Sequence, residues 1–145
     1  MNTPPTLSIL QTNVRKSQAT HRQLLDDSQK DILAIQEPYT NPSNGRTVTH
    51  PKYHTVVGED KDKRVVFYVH KKYSLSEWSH RIISNQKILI SLQTTIGTVH
   101  LHNVYNWDAR LTVEELLEGI KEPREHVLVG DFNLYHRWWG GPSVL

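Results

Sequence analysis

The sequence predicts an α/β fold whose sheets contain antiparallel strands. Short apolar runs bounded by Pro, Gly and Asn recur along the chain and are typical of buried strands. Polar segments with a narrow apolar face separate some of these runs and are typical of helices. Charged or Gly-containing segments separate others and are typical of hairpin turns, which a doubly wound parallel sheet lacks. With 145 residues, the chain has the length of one ordinary domain.

The first part of the chain predicts two strands joined by a helix. The apolar run at 7–13 indicates a buried strand, and the polar segment 17–27 indicates a helix. The segment 31–37 indicates a second buried strand, which Pro38 ends. The segment 38–51 is rich in Pro, Asn, Ser and Thr, and it is therefore predicted to be a loop.

Two pairs of strands and one further helix are predicted in the rest of the chain. The mixed charges at 59–63 are typical of an exposed hairpin tip, and the segment 94–97 separates a second pair of strands. A helix begins at Thr112, because Glu115 stands at the spacing of a capping box, and Pro123 ends this helix. The strands are predicted at 53–58 and 64–70, at 87–93 and 98–106, and at 126–130.

Composition excludes several classes of protein. The chain has 17 Lys and Arg residues and 15 Asp and Glu residues, which gives a net charge of +2. The electric field of this charge is too weak for a histone-like binder. The absence of Cys excludes a disulfide framework, a thiolate zinc site and a Cys nucleophile. No apolar run approaches the roughly 20 residues of a membrane-spanning helix, and no signal peptide is visible. A cytosolic or nuclear protein fits these observations.

Carboxylates and carboxamides follow several of the predicted strands. They are Asn13, Glu37, Asn106 and Asp131, with Asn133 two residues beyond Asp131. Functional groups gather at strand ends in α/β sheets, and oxygen ligands of this kind suit Mg²⁺ together with a substrate phosphate. The alternative is structural, because Asx residues at strand ends also form turns and a strand-end Glu is also found simply in solvent. The pattern alone predicts a candidate metal site and leaves this alternative open.

Four stretches resemble successive motifs of one known superfamily. Two of them, QEPY and GDFN followed by His136, Trp139 and Gly140, are similar to the apurinic-type endonuclease domain of non-LTR retrotransposons. The resemblance covers residues 7–141. The stretches that resemble the endonuclease/exonuclease/phosphatase superfamily are LSILQTN at 7–13, IQEPY at 35–39, NVY at 103–105 and GDFN at 130–133.

This resemblance implies a fold and a set of catalytic roles. The implied fold is a four-layer α/β sandwich with two facing sheets. Glu37 matches the acidic ligand of Mg²⁺ (or Mn²⁺), and Asn13 matches the Asn beside the metal. Asp131 matches the carboxylate that orients or deprotonates the attacking water, and Asn133 matches its partner at the scissile phosphate. Tyr105 matches the Tyr whose hydroxyl stabilises the phosphate, as phosphodiester hydrolysis requires.

The implied function is DNA nicking by a retrotransposon endonuclease for target-primed reverse transcription. The implied partner is the DNA phosphate backbone, and the implied location is intracellular, in the nucleus if the retroelement protein is functional. His136 and Trp139 are candidate substrate contacts, because they follow GDFN closely. Each has an alternative: His136 is equally a loop residue, and the pair Trp138 and Trp139 more often fills a core than stacks on DNA bases.

The sequence departs from the superfamily pattern at its end. The family closes with a Ser-Asp-His element, and none of the seven Asp residues here is followed by His. We therefore expect residues 1–145 to form a single, C-terminally incomplete domain, truncated after the first sheet, with an uncovered apolar face and impaired activity. A non-catalytic remnant that binds nucleic acid weakly is the alternative. A phosphomonoesterase of the same superfamily is a second alternative, which the Trp-Gly-Gly ending disfavours.

Other polar residues carry weaker indications. His100 and His102 share one face of a strand, but a zinc site needs a third ligand that the sequence does not specify. Scattered basic side chains are usually solvated surface, although each could contact a phosphate. The residues concerned are Arg15, Lys16, Lys71, Lys72 and Arg81.

Overall fold

Two four-stranded sheets face each other in the structure, a computed structural model that describes residues 6–95, 97–106, 112, 120 and 126–132. The first sheet has the strand order β1-β2-β4-β3 and the second has the order β5-β6-β7-β8. One helix, α1, spans Gln18–Asp27. The strands are β1 Ile9–Asn13, β2 Ile32–Gln36, β3 Tyr53–Val56, β4 Val65–His70, β5 Trp78–Ser84, β6 Lys87–Thr94, β7 Gly97–Tyr105 and β8 His126–Asp131.

Each sheet combines one parallel pair of strands with antiparallel neighbours. β1 is parallel to β2, and β7 is parallel to β8, whereas the other neighbouring strands are antiparallel. A parallel pair has both carboxyl ends at one edge of its sheet. The α/β class with antiparallel parts is therefore confirmed, and each sheet has one edge at which two strand ends meet.

Helix α1 covers the outer face of the first sheet. Ser17 is its N-cap, and the Ser17 hydroxyl accepts a hydrogen bond from the Thr20 amide at 3.2 Å. The helix buries His21 and Leu25 completely against the apolar outer side chains of β2 and β4. This packing explains why β2 is buried along its whole length, since the second sheet covers its other face.

The main core lies between the two sheets, which corrects two expectations drawn from the sequence. The chain does not stop after the first sheet, because β5 to β8 form a second one. The inner face of the first sheet is not an uncovered apolar surface, because alternate side chains of β6 and β7 pack against β2 and β4. The buried members of this core are Ile32, Ala34, Val56, Val65, Phe67, Val69, Ile88, Ile90, Leu92, Leu101 and Tyr105.

One strand was missed in the sequence and one predicted helix lies outside the described residues. β5, at Trp78–Ser84, is an edge strand whose side chains are mostly exposed, so its sequence lacks the apolar run of a buried strand. Of the helix predicted to begin at Thr112, only Thr112 and Ile120 are described. Among the described residues, no helix has the length and apolar character needed to cross a membrane.

The buried imidazole of His21 joins α1 to the first sheet in its neutral form. The Tyr39 amide donates to His21 Nδ1 at 3.1 Å, so Nδ1 is an acceptor and the proton is on Nε2. Nε2 lies 2.7 Å from the Tyr68 hydroxyl, which donates in turn to the Val48 carbonyl. Burial, and to a smaller extent the charge of Arg22, lower the pKa of His21 to about 4.

We predict that acid destabilises the fold through two buried histidines. Burial also lowers the pKa of His102 to about 4, with smaller contributions from Lys87, His126 and His100. In the unfolded chain these two imidazoles bind protons below about pH 6.5, whereas in the folded chain they do so only near pH 4. Their contribution to the free energy of unfolding is therefore complete above pH 6.5, and for each histidine it should fall by roughly 2 kcal/mol between that pH and pH 5. Urea unfolding at several pH values measures this, and a His21→Gln variant with the wild-type pH dependence would contradict the assignment.

Gly130 lets β8 approach β7. Its φ is 142°, and a Cβ atom at this position would lie 1.8 Å from the Val104 carbonyl oxygen. Only Gly combines this backbone conformation with so close an approach. The glycine that precedes Asp131 in the GDFN stretch is therefore required by the pairing of the two strands.

We predict that Gly130→Ala abolishes stable folding and that Gly97→Ala does not. Gly97 also has a positive φ, of 119°, but a Cβ there meets no described atom within 4 Å. Each variant should lose about 1–3 kcal/mol from backbone strain, and Gly130→Ala should lose ~4 kcal/mol or more in total because of the clash. Thermal unfolding followed by circular dichroism compares the two variants, and equal losses would refute the close approach of β7 and β8.

Candidate active site

The ends of β2, β7 and β8 bring three of the predicted site residues together. Tyr105 and Asp131 are register partners at the ends of the parallel strands β7 and β8. Glu37 directly follows β2 in the facing sheet, and its carboxylate acts electrostatically on the Tyr105 hydroxyl together with that of Asp131. The sequence separates these residues widely, but the facing sheets place them around one point.

Tyr105 keeps its proton in this environment. Burial raises the pKa of its hydroxyl, and the negative charges of Glu37 and Asp131 and a hydrogen-bonding interaction with Glu37 raise it further. The positive charge of Arg64 acts in the opposite direction on the same pKa. The Tyr105 hydroxyl is therefore protonated at neutral pH and can donate a hydrogen bond.

The backbone of Glu37 is held in a conformation that side chains other than Gly rarely adopt. Its φ is 49°, and its amide donates to the Arg64 carbonyl at 2.9 Å. Its carbonyl accepts from the Lys16 amide at 2.7 Å. The start of β4 and the turn after β1 thus clamp Glu37 from both sides. Such strain is characteristic of functional sites, because a surrounding structure must maintain it.

The turn after β1 has the same kind of strain. Arg15 and Lys16 have φ values of 51° and 59°, and the Ser17 amide closes the turn onto the Val14 carbonyl at 2.9 Å. The Asn13 carboxamide oxygen accepts from the Arg15 amide at 2.8 Å. Within the described chain, all three non-Gly residues with positive φ border this one edge: Arg15, Lys16 and Glu37.

Asn13 therefore has the structural role that the sequence left open, and its predicted role remains compatible with it. A carboxamide oxygen has two lone pairs, so one remains after the bond from Arg15. Asn13 is the register partner of Gln36, one residue before Glu37. Asn106 is completely buried. Its backbone N–H donates to the backbone carbonyl of Asp131 at 2.7 Å, so Asn106 continues the pairing of β7 and β8.

A buried amide bridge beneath these residues was missed in the sequence. Asn103 of β7 donates to the Val66 carbonyl at 2.9 Å and to the Ile35 carbonyl at 3.2 Å, both in the facing sheet. Its oxygen accepts from Gln36 Nε2 at 2.7 Å. Gln36 and Asn103 are both completely buried. The available signal was their position beside Glu37 and Tyr105 in the QEPY and NVY stretches, since a polar residue inside an apolar strand requires a partner.

We predict that Gln36 and Asn103 are energetically coupled. Asn103→Leu should lower the free energy of unfolding by about 2–4 kcal/mol, because it leaves buried polar groups without partners. Gln36→Leu should cost a similar amount for the same reason, and the double variant should lose less than the sum by about 1–3 kcal/mol. A double-mutant cycle in urea measures the coupling energy, and additive losses would show that the bridge does not join the sheets.

A cluster of three histidines lies away from this site. His102 Nε2 lies 2.8 Å from His126 Nδ1, and the rings of His100 and His126 stack at 4.6 Å. These side chains occupy the face of the second sheet opposite to Tyr105, since strand neighbours alternate between faces. In the part of the chain that the structure describes, no group of three His, Cys, Asp or Glu side chains is arranged to bind a metal.

Three predicted residues cannot be placed beside the others. Asn133, His136 and Trp139 lie outside the described residues, which end at Phe132.

Arg64 is the residue near Tyr105 that sequence reasoning did not single out. Its guanidinium forms an ion pair with Asp62 at 2.8 Å, and the hairpin composition at 59–63 gave no sign that this segment reaches the site.

The two facing mixed sheets form a fold that is shared with an endonuclease domain of known structure. The structure is similar to "Endonuclease domain of TRAS1, a telomere-specific non-LTR retrotransposon", with a TM-score of 0.66 and 18% sequence identity. The similarity covers 93% of this chain and 63% of the TRAS1 domain chain, so this chain spans less than two thirds of that length. No protein-family model and no curated protein matches the sequence. The similarity establishes the fold and confirms the expectation of two facing sheets.

Proposed function

We propose that this chain is a Mg²⁺-dependent phosphodiesterase that nicks DNA as part of a retrotransposon. The observation that carries the proposal is the convergence of Glu37, Tyr105 and Asp131 from two sheets onto one point. The strained backbone of Glu37 supports it independently. The nuclease kind of function has further support from the fold shared with a retrotransposon endonuclease domain.

The donor atoms at this edge suit a hard divalent cation. The Glu37 carboxylate and the Asn13 carboxamide would hold the ion, and the Asp131 carboxylate also acts on the Tyr105 hydroxyl. All of these are oxygen donors, and Mg²⁺ typically takes one or two carboxylates, several waters and a substrate phosphate. When bound, the ion neutralises negative charge on the phosphate.

The side chains of the chain itself supply the remaining requirements of hydrolysis. We assign to Asp131 the role of orienting or deprotonating the water molecule that attacks the phosphorus atom, as the resemblance implies. The protonated Tyr105 hydroxyl donates a hydrogen bond to a phosphate oxygen, where negative charge develops during the attack. Asn133, which matches the superfamily residue at the scissile phosphate, is assigned to hold the same phosphate. Arg64 adds positive charge beside Tyr105.

We predict that Asp131→Ala abolishes Mg²⁺-dependent nicking of supercoiled plasmid. Loss of the group that activates water should reduce the rate by several orders of magnitude without unfolding the chain. Asp27→Ala is the matched control. Asp27 is an exposed carboxylate at the carboxyl-terminal end of α1, and its removal should leave the rate unchanged. Circular dichroism verifies that both variants are folded.

Three outcomes of this assay would contradict the proposal. Near wild-type nicking by Asp131→Ala would refute the role of Asp131. Nicking that persists in EDTA would refute the requirement for Mg²⁺. Absence of nicking by the folded wild-type chain would refute the activity and favour the non-catalytic alternative. Calorimetric titration with Mg²⁺ provides a readout other than activity, in which Glu37→Gln should weaken binding at least tenfold.

A further inference from the structure

A polar pocket lies on the outer side of the first sheet. It has a volume of about 100 Å³ and lies between the start of α1 and the segment that joins β2 to β3. Two exposed arginines, Arg22 and Arg46, flank it from these two walls. The other lining residues are Gln18, Tyr39, Asn41, Asn44, Thr47 and Val48.

The walls of this pocket are ordered by local hydrogen bonds. Thr40 and Thr47 form an antiparallel bridge, and the Asn41 amide donates to the Arg46 carbonyl at 2.8 Å. The carboxamide oxygens of Asn41 and Asn44 each accept a backbone N–H, at 2.8 and 2.9 Å. This arrangement leaves the amino groups of both side chains as the ends that can donate to a ligand. The pocket is therefore a pre-formed set of donors.

The charge of the pocket is positive. None of the residues that line it is acidic. Among the described ion pairs, none includes Arg22 or Arg46. Asp26, one helical turn after Arg22, is bonded instead to His50 Nε2 at 3.0 Å. The two guanidinium groups are thus available for an anion, and the amino-terminal end of α1 favours negative charge at the same place.

The donors of the pocket suit a small anion. The pocket volume of about 100 Å³ has room for a group of the size of a phosphate. Guanidinium groups bind phosphate through paired N–H donors, and amide groups add further donors. The chemistry of the walls therefore matches a single phosphate.

The pocket also lies at a short chain distance from the candidate active site. Tyr39 is two residues after Glu37, so their Cα atoms are at most about 7 Å apart. Gln18 follows the strained turn at Arg15 and Lys16, which is bonded to Glu37 through the Lys16 amide. Successive phosphates of one DNA strand are ~3.4 Å apart along the helix axis. A strand whose scissile phosphate lies at Glu37 and Asp131 thus has neighbouring phosphates within reach of the pocket.

We infer that the pocket between Arg22 and Arg46 binds a non-scissile phosphate of the nucleic-acid substrate, a few nucleotides from the cleaved bond. This inference rests on the proposed nuclease function, because the substrate strand must pass both places. The pocket positions the strand by its backbone and contributes no base specificity. Free inorganic phosphate has the same chemistry, and the test below distinguishes it from the substrate.

The test measures binding of a fluorescein-labelled DNA duplex by anisotropy in EDTA, where cleavage is suppressed. Arg22→Gln/Arg46→Gln should weaken binding about tenfold or more and reduce the salt-dependence slope by about one, because one phosphate contact is lost. Lys30→Gln/Lys71→Gln is the matched control, since it removes the same charge from exposed residues at the opposite edge of the first sheet. This control should change both quantities much less.

A neutral methylphosphonate placed at single positions of the duplex locates the contact. Wild-type protein should lose affinity when a position near the nick is neutral, whereas the Arg22→Gln/Arg46→Gln variant should be indifferent to that position. If both proteins respond equally at every position, the pocket does not hold a backbone phosphate. If millimolar inorganic phosphate binds the pocket while DNA binding is the same in both proteins, the pocket binds a free anion and the inference is wrong.

Parallel nicking assays separate this inference from the proposed function. A wild-type chain that binds DNA through the two arginines but never nicks it would overturn the proposed activity and leave the phosphate pocket in place. A double-Gln variant that binds and nicks like the wild type would overturn the pocket and leave the activity in place. Asp131→Ala should bind the duplex normally, because Asp131 lies outside the pocket.

Discussion

The buried amide bridge between Gln36 and Asn103 is the interaction on which the candidate site depends. Apolar packing holds the two sheets face to face, but apolar contacts alone permit sliding by a residue without a large change in buried area. The bridge removes this freedom, because both amides are completely buried and satisfied only in one register. Glu37 and Tyr105 follow these residues closely in their strands, so fixing the bridge also fixes the two side chains relative to each other.

The strain at the strand ends is consistent with this fixed frame. Glu37, Arg15 and Lys16 adopt positive φ values, and each such residue costs on the order of 1–3 kcal/mol. The cost is tolerated because β4 and the turn after β1 bond the Glu37 backbone on both sides. In this conformation, the Glu37 carboxylate lies next to Tyr105. The strained backbone of Glu37 and the packing of the two sheets thus both fix the position of the Glu37 carboxylate relative to Tyr105.

In the proposed nuclease, the strand-end site and the neighbouring pocket would perform different tasks. The strand-end site holds carboxylates and a protonated tyrosine, which suit water activation and phosphate recognition. The neighbouring pocket holds arginines and amides without carboxylates, which suit binding without chemistry. Both regions include residues of the segments after β1 and after β2, so a change in either segment affects them together. In the proposed nuclease, these segments would link the position of the substrate strand to the strand-end site.

The sequence by itself determined the local elements and the identity of the candidate catalytic residues. Apolar runs located seven of the eight strands now described, and the Ser17 cap was compatible with the helix, because these signals are local. β5 escaped because an exposed edge strand lacks a buried face. The expected truncation after the first sheet rested on the missing Ser-Asp-His element, which contains no information about the number of strands in the second sheet. Only the tertiary structure decided that Glu37, Tyr105 and Asp131 meet, that Gln36 and Asn103 bridge the sheets, and that Arg22 and Arg46 share a pocket. These relations join segments far apart in the chain, and periodicity along a sequence contains no information about which distant faces pack together.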